Sequence, residues 1–419
     1  MPSRRSPVAR CAAAAGMLLA AAGPAAAELP PIHGPVEVET VADIDGAVGG
    51  VAVDRVGNVY VADFGDHVFQ VTRHGEVSVL TDSLYGASGN AVDARGELLQ
   101  ASFYGNAVSR IGRDGTVTTL ATGLEGPVGI ALDDAGDLLV CNCTGNNLAR
   151  VRAATGEVTR FATSDLLRCP NGITRDGDGN FYVVNFQGGA VLKVSAQGAV
   201  ELLATVPGGG NGHVAYARGA LYVTGFRSNR LWRVTTAGEV AWFAGTGRFG
   251  TDDGDAAKAT FATPNGIAYD PAYDALYLND YPIRFPERSR EKPVSVLRRV
   301  VFPTLTEELQ GALAAGGVDT VRTAYASYKE LRPSSSTEIE VNILGYTWLQ
   351  KGETDAAIAA FELNVESYPG SWNAHDSLGE GYAAAGKREE AIASYEKSLE
   401  LNPDNGNAVQ HLQKLRSEE

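Results

Sequence analysis

The chain has 419 residues, 44% of them hydrophobic, and carries a net charge of −15. That hydrophobic share excludes a disordered chain. So acidic a balance excludes a nucleic-acid binder, whose affinity rests on neutralising phosphate. The length implies two or more domains.

The first predicted element is a leader. Arg4, Arg5 and Arg10 form a basic head, CAAAAGMLLAAA is an apolar run too short to span a bilayer, and Ala25-Ala26-Ala27 is a small-residue cleavage site before Glu28. Residues 1–27 therefore read as a signal peptide cut after Ala27, sending the chain to the periplasm or beyond the cell. The leader holds three arginines and no acid, so its loss brings the net charge to about −18. The rest of the sequence holds no apolar run long enough to span a membrane. Cys11 leaves with the leader, and Cys141, Cys143 and Cys169 remain, a number that suits one disulfide and one free thiol.

Six copies of one unit follow. Each opens with a glycine before a short apolar strand: Gly50-VAVD, Gly89-NAVD, Gly129-IALD, Gly172-ITRD, Gly212-HVAY and Gly266-IAYD, spaced by 39, 40, 43, 40 and 54 residues. A second strand follows each (VYVADF, LLQASF, LLVCNC, FYVVNF, LYVTGF, ALYLND) across turn signals such as Asp176-Gly-Asp-Gly-Asn180. Third strands end in FQV, SRI, ARV, LKV, LWR and LRRV, and fourth strands such as EVSVL and EVAWF follow another glycine turn. Four short antiparallel strands per unit at this period are propeller blades, six in all over residues 34–302. The sixth lacks a fourth strand after VSVLRRVVF, whereas GPVEVETVA at 34–42 has the fourth-strand pattern ahead of blade 1. The N-terminal strand is therefore expected to close blade 6 and cover its open edge.

Residues 303–419 change to Ala, Glu and Lys at helical spacing. Leu344-Gly345, Trp348, Ala357, Phe361 and Pro369 recur 34 residues later as Leu378-Gly379, Tyr382, Ala391, Tyr395 and Pro403. Residues 304–333 look like a worn earlier helix pair, and 405–416 like a capping helix. The expected fold is an all-β six-bladed propeller followed by an all-α helical repeat domain.

These motifs carry resemblances. VADFGDHVFQV, with Asp66-His67-Val68, resembles an NHL repeat, and residues 244–270 resemble the long insertion of NHL propellers. The PNGI and NGH stretches resemble the senescence-marker-protein/gluconolactonase family of six-bladed propellers. The 34-residue register resembles tetratricopeptide repeats, which implies a groove for a peptide or protein partner.

Candidate site residues fall in two rings. The residue before each starting glycine is Gly49, Ser88, Val128, Asn171, Asn211 and Asn265, a set expected to surround one mouth of the central channel. The gluconolactonase resemblance implies that Asn171, Asn211 and Asn265 hold calcium or another divalent cation. The sequence departs from that family in blade 1, where Val48-Gly49 stands in place of its glutamate, so only neutral amides would remain. A turn-forming role competes with the ligand role, since Asn before Gly is a common turn pair.

The second ring is the penultimate position of the second-strand blocks, Asp63, Ser102, Asn142, Asn185 and Gly225, with Asp280 from blade 6. Asp63, Asn142, Asn185 and Asp280 are its candidate ligand-binding residues, with Asp63 and Asp280 on neighbouring blades after closure. His213 is the candidate general base. His33, His67, His74, His375 and His411 read as loop or surface residues. Cys169 is expected to pair with one of Cys141 and Cys143, and Cys143 is favoured because its loop is shorter. Asp252-Asp253-Gly254-Asp255 reads as a solvated acidic loop.

Two functions fit. The first is an exported recognition protein that binds a small molecule or peptide at the channel mouth and a protein through its helices. The second is a metal-dependent lactone or ester hydrolase.

Overall fold

The computed structural model describes residues 31–282 and 294–417, so the leader lies outside the described residues. Six antiparallel sheets follow one another along the chain and six helices complete it. The second strand of every blade is buried along its whole length, as in Leu98–Ser102 and Phe181–Asn185. The fourth strands, at the outer edge of the blades, are largely exposed, as in Val77–Thr81 and Val158–Thr163. Each blade is apolar on both faces and packs against its neighbours. Leu139, Cys141 and Leu148 of blade 3, for example, bury against Ile173, Phe181 and Val183 of blade 4.

The aspartate that ends the first strand of blades 1–4 builds the next turn. Asp54 Oδ1 accepts from the amides of Val56 and Asn58, both at 2.9 Å, and Asp93, Asp133 and Asp176 repeat the pattern. A carboxylate satisfying two turn amides pins each hairpin register.

The N-terminal strand Glu37–Ile44 pairs antiparallel with Ser295–Val301, from Glu37 opposite Val301 to Ile44 opposite Ser295. It supplies the fourth strand of blade 6. The long insertion adds a short fifth strand, Gly254–Asp255, on its outer edge. The acidic stretch there is not simply solvated. Asp253 accepts from the Thr40 amide at 2.9 Å and from the Arg298 guanidinium at 2.6 Å. Arg298 is fully buried, and its charge requires these acceptors.

Only Phe302, Pro303 and Thr304 separate the last strand from the helices. Thr304 caps α1 (Leu305–Leu331) in a reciprocal capping box with Glu307. Gly316 and Gly317 interrupt α1, Gly317 at φ 74°, so it is the worn helix pair expected there. The helices α2 (Glu338–Gln350), α3 (Thr354–Ser367), α4 (Trp372–Ala384) and α5 (Arg388–Leu401) form two hairpins, and α6 (Gly406–Ser417) covers the end. The repeated glycines permit close helix approach: a Cβ on Gly345 would lie 2.4 Å from Phe361, and one on Gly379 2.8 Å from Tyr395. No helix among the described residues is long and apolar enough to cross a membrane.

Candidate functional site

The inner strands meet around the channel through backbone-to-backbone contacts. A Cβ built on Gly50 would lie 2.7 Å from the Gly89 Cα, one on Gly89 2.9 Å from the Gly129 Cα, and one on Gly129 3.1 Å from the Gly172 Cα. The next member of this ring is not Gly212. A Cβ on Gly172 would lie 2.5 Å from the Cα of His213, and the His213 amide donates to Asn265 O as the Gly50 amide donates to Ser88 O.

Blade 5 is therefore shifted by one residue relative to the sequence alignment. Positive φ angles mark the same shift: Gly86, Gly126, Cys169, Gly210 and Thr263 are equivalent, so Gly212 and not Asn211 corresponds to Asn171 and Asn265. His213 thus stands where the other five blades have glycine.

A cavity of about 340 Å³ occupies this mouth of the channel. Gly49, Ser88, Val128, Asn171, His213 and Asn265 line it at the inner strands. Its wall is the last residue of the second-strand blocks of blades 1–5, Phe64, Phe103, Cys143, Phe186 and Phe226, with Tyr281, just after Asp280, from blade 6. Five aromatic rings and a cystine therefore surround the mouth. Phe64 and Phe103 stand 5.4 Å apart and Phe186 and Phe226 5.5 Å apart. The candidate ring in the sequence lies one residue earlier, at Asp63, Asn142, Asn185 and Asp280. The signal was there, as an aromatic in five blades of six.

Asn171 and Asn265 reach the cavity and also staple blades together. Asn171 Nδ2 donates to Gly212 O at 2.8 Å, and Asn265 Nδ2 donates to Gly49 O at 3.1 Å. With the amide hydrogens engaged, each Oδ1 remains as an acceptor without a donor among the described residues. Asn211 does not join them. It is buried behind the mouth, its Nδ2 turned to Ala190 O at 3.4 Å, because blade 5 is offset.

None of the second ring lines the cavity. Asp63 accepts from its own loop, from the amides of Gly65 at 2.6 Å and His67 at 3.1 Å. Asn142 accepts from the Glu125 amide and donates to Asn147, and Asn185 accepts from the Arg168 amide and donates to Leu166 O. Asp280 is fully buried, accepting from the Ala262 amide and pairing with Arg298 at 3.0 Å. Burial raises its carboxyl pKa, and the guanidinium and the amide act against that rise. The wall residues stand one or two places past the ends of the second strands, where the chain turns at the mouth, whereas the side chains of Asp63, Asn142, Asn185 and Asp280 are taken up by hydrogen bonds to neighbouring loops or to Arg298.

Cys143 and Cys169 are disulfide-bonded, joining blades 3 and 4 at the rim, and Cys141 is a free, buried thiol. His213 is only 8% exposed, and desolvation lowers its pKa to about 4, so the ring is neutral at physiological pH.

No Asp or Glu among the described residues lines the cavity. Two amide oxygens and an imidazole are a poor set for a hard divalent cation, whose affinity follows the ligand charge. The donors at the mouth thus do not fit a calcium site. Asp63, Asp66 and His67 do bring ligand atoms within 4.8 Å of one another on a blade 1 loop, but Asp63 is already hydrogen-bonded to His67 Nδ1, and Asp66 Oδ1 lies 2.7 Å from the same nitrogen.

The fold and the mouth define a class: a six-bladed β-propeller carrying tetratricopeptide-type helices. Residues 372–405 match the tetratricopeptide repeat family model. No curated protein matches the chain. Among solved structures, a gluconolactonase from Xanthomonas campestris shares 19% identity over 65% of this chain and 91% of its own, with a TM-score of 0.52. An auxiliary nutrient binding protein from Bacteroides thetaiotaomicron shares 16% identity over 64% of this chain and 76% of its own, with a TM-score of 0.54. A putative glucose dehydrogenase from Thermus thermophilus shares 17% over 64% and 100%, with a TM-score of 0.50. The likeness is one of fold, which hosts catalysts and binders alike.

Proposed function

We propose that the protein is an exported recognition protein that binds a small molecule or a peptide side chain in the propeller mouth and engages a protein through its helical repeats. The observation that carries this reading is the mouth itself: an aromatic wall, few polar groups and no carboxylate among the described residues. The disulfide fits an oxidising compartment outside the cytoplasm. Ile339 and Ile343, one turn apart on α2 and 76% and 62% exposed, fit a helical domain with a partner.

A gluconolactonase-like hydrolase is the second reading, favoured by the two unclaimed carboxamide oxygens of Asn171 and Asn265. Calorimetric titration of calcium into residues 28–419 separates the two readings. The recognition reading expects no saturable calcium heat. Calcium binding that disappears in the Asn171→Ala, Asn265→Ala double variant would establish the metal site and favour the hydrolase.

A further inference from the structure

The mouth is not symmetric. On blade 2 two further aromatic residues continue the wall outward. Tyr104 directly follows Phe103, and its ring lies 5.2 Å from Phe103 and 5.8 Å from Phe64, both of which line the cavity. Tyr85, in the loop entering blade 2, lies 5.4 Å from Tyr104. They are 67% (Tyr85) and 53% (Tyr104) exposed. At the position after the wall residue the other blades have Gly65, Thr144, Gln187, Arg227 and Pro282, so the aromatic continuation belongs to blade 2.

A shelf of large rings held in water and contiguous with an apolar cavity is costly unless something covers it. The cavity lining contains no Lys, Arg, Asp or Glu among the described residues, so a charged group entering it would lose hydration without an ionic partner. The acidic surface further disfavours anions. We propose that the mouth takes an elongated, uncharged aromatic ligand whose inner end fills the cavity and whose outer end lies along Tyr104 and Tyr85. The inner end meets three neutral polar groups, the Asn171 and Asn265 oxygens and the His213 ring, which suit a hydroxyl or N–H donor.

This inference rests on the mouth being a binding site, and the test separates the two. Two neutral fluorescent probes are titrated into the chain lacking its leader: naphthol, short enough for the cavity alone, and rod-shaped diphenylhexatriene, which must extend beyond it. Each is repeated with the Tyr85→Ala, Tyr104→Ala double variant. Both substitutions are at exposed positions, and a circular dichroism melt checks the fold.

The expected result is a loss of about tenfold in diphenylhexatriene affinity, with naphthol unchanged within about twofold. Equal weakening of both probes, or no effect on either, would overturn the shelf and leave the cavity standing. Failure of both probes to bind the unsubstituted protein would overturn the mouth reading and the shelf with it.

Discussion

Arg218 and Asp274 pair at 2.8 Å across the base of blades 5 and 6, and the same carboxylate receives Arg332 from the end of α1. Arg218 is 5% exposed at its side chain, reaches Glu308 of α1 at 3.3 Å, donates to Pro303 O at 3.2 Å and lies 4.8 Å from the Phe302 ring. One guanidinium thus ties two blades, the connecting segment and the first helix into one junction. The helical domain is therefore joined to the propeller by side chains as well as by the connecting segment.

Removing the shared acceptor should expose this dependence. Asp274→Ala leaves Arg218 and Arg332 with Glu308 as their remaining acidic partner in the cluster, and losing one side of a largely buried pair costs about 2–3 kcal/mol. In urea the variant should show that loss, with the helical and propeller signals separating into two transitions. A single unshifted transition would show that the two domains are not coupled through this cluster.

His213 makes a prediction about pH. In the unfolded chain its imidazole titrates near 6.5, and in the folded chain near 4, because burial disfavours the cation. Below pH 6.5 the unfolded chain takes up a proton that the folded chain refuses. Stability from this group is therefore full above about pH 6.5, falls as the pH drops and has lost about 3 kcal/mol by pH 4. His213→Gly restores the residue found at this place in the other blades and removes that dependence. Urea unfolding of both proteins at pH 7 and at pH 5 measures the difference; parallel losses would show that His213 does not titrate as a buried base.

The sequence carried the blade count, the closing strand and the helical repeat because each rests on a periodic pattern repeated several times. Asn171, Asn265 and His213 do line the mouth, and the other candidates lie away from it for two local reasons. The Asn-Gly pair at 211–212 looks like the pair at 171–172, yet backbone geometry puts Gly212 in the asparagine position and His213 in the glycine ring. A one-residue slip leaves the strand pattern almost intact and changes which side chain faces the channel. The second reason lies just past the ends of the second strands. Asp63, Asn142, Asn185 and Asp280 stand out as polar residues, whereas Phe64, Phe103, Phe186 and Phe226 beside them continue the apolar pattern of the strands they follow. Their convergence from four different blades appears only in three dimensions.

The disulfide gives a chemical test of the rim. Before reduction, the denatured chain lacking residues 1–27 should alkylate once, at Cys141, and three times afterwards. Cys143 and Cys169 are 26 residues apart, and a loop of that size contributes about 3.5 kcal/mol in the chain-entropy account. Cys143→Ser with Cys169→Ser should lower stability by about that amount. Three alkylations without reductant would rule out the bridge.

The closing strand makes the strongest demand on the fold. Val38 and Ile44 are 1% and 0% exposed, Val38 packing with Leu276 and Val300, and Ile44 with Tyr277 and Leu297 on the other face of blade 6. Deleting residues 28–45 leaves the Ser295–Val301 strand with an unpaired edge and opens both clusters, in a ring whose other blades depend on closure. The deletion should abolish the cooperative melt. Because a deletion reports only an outcome of all or nothing, Ile44→Ala supplies the graded test. It should cost about 2–5 kcal/mol by removing a buried aliphatic side chain from a site that cannot collapse. A deleted chain that still melts cooperatively at the original temperature, with Ile44→Ala near neutral, would mean that blade 6 is stable without its N-terminal strand.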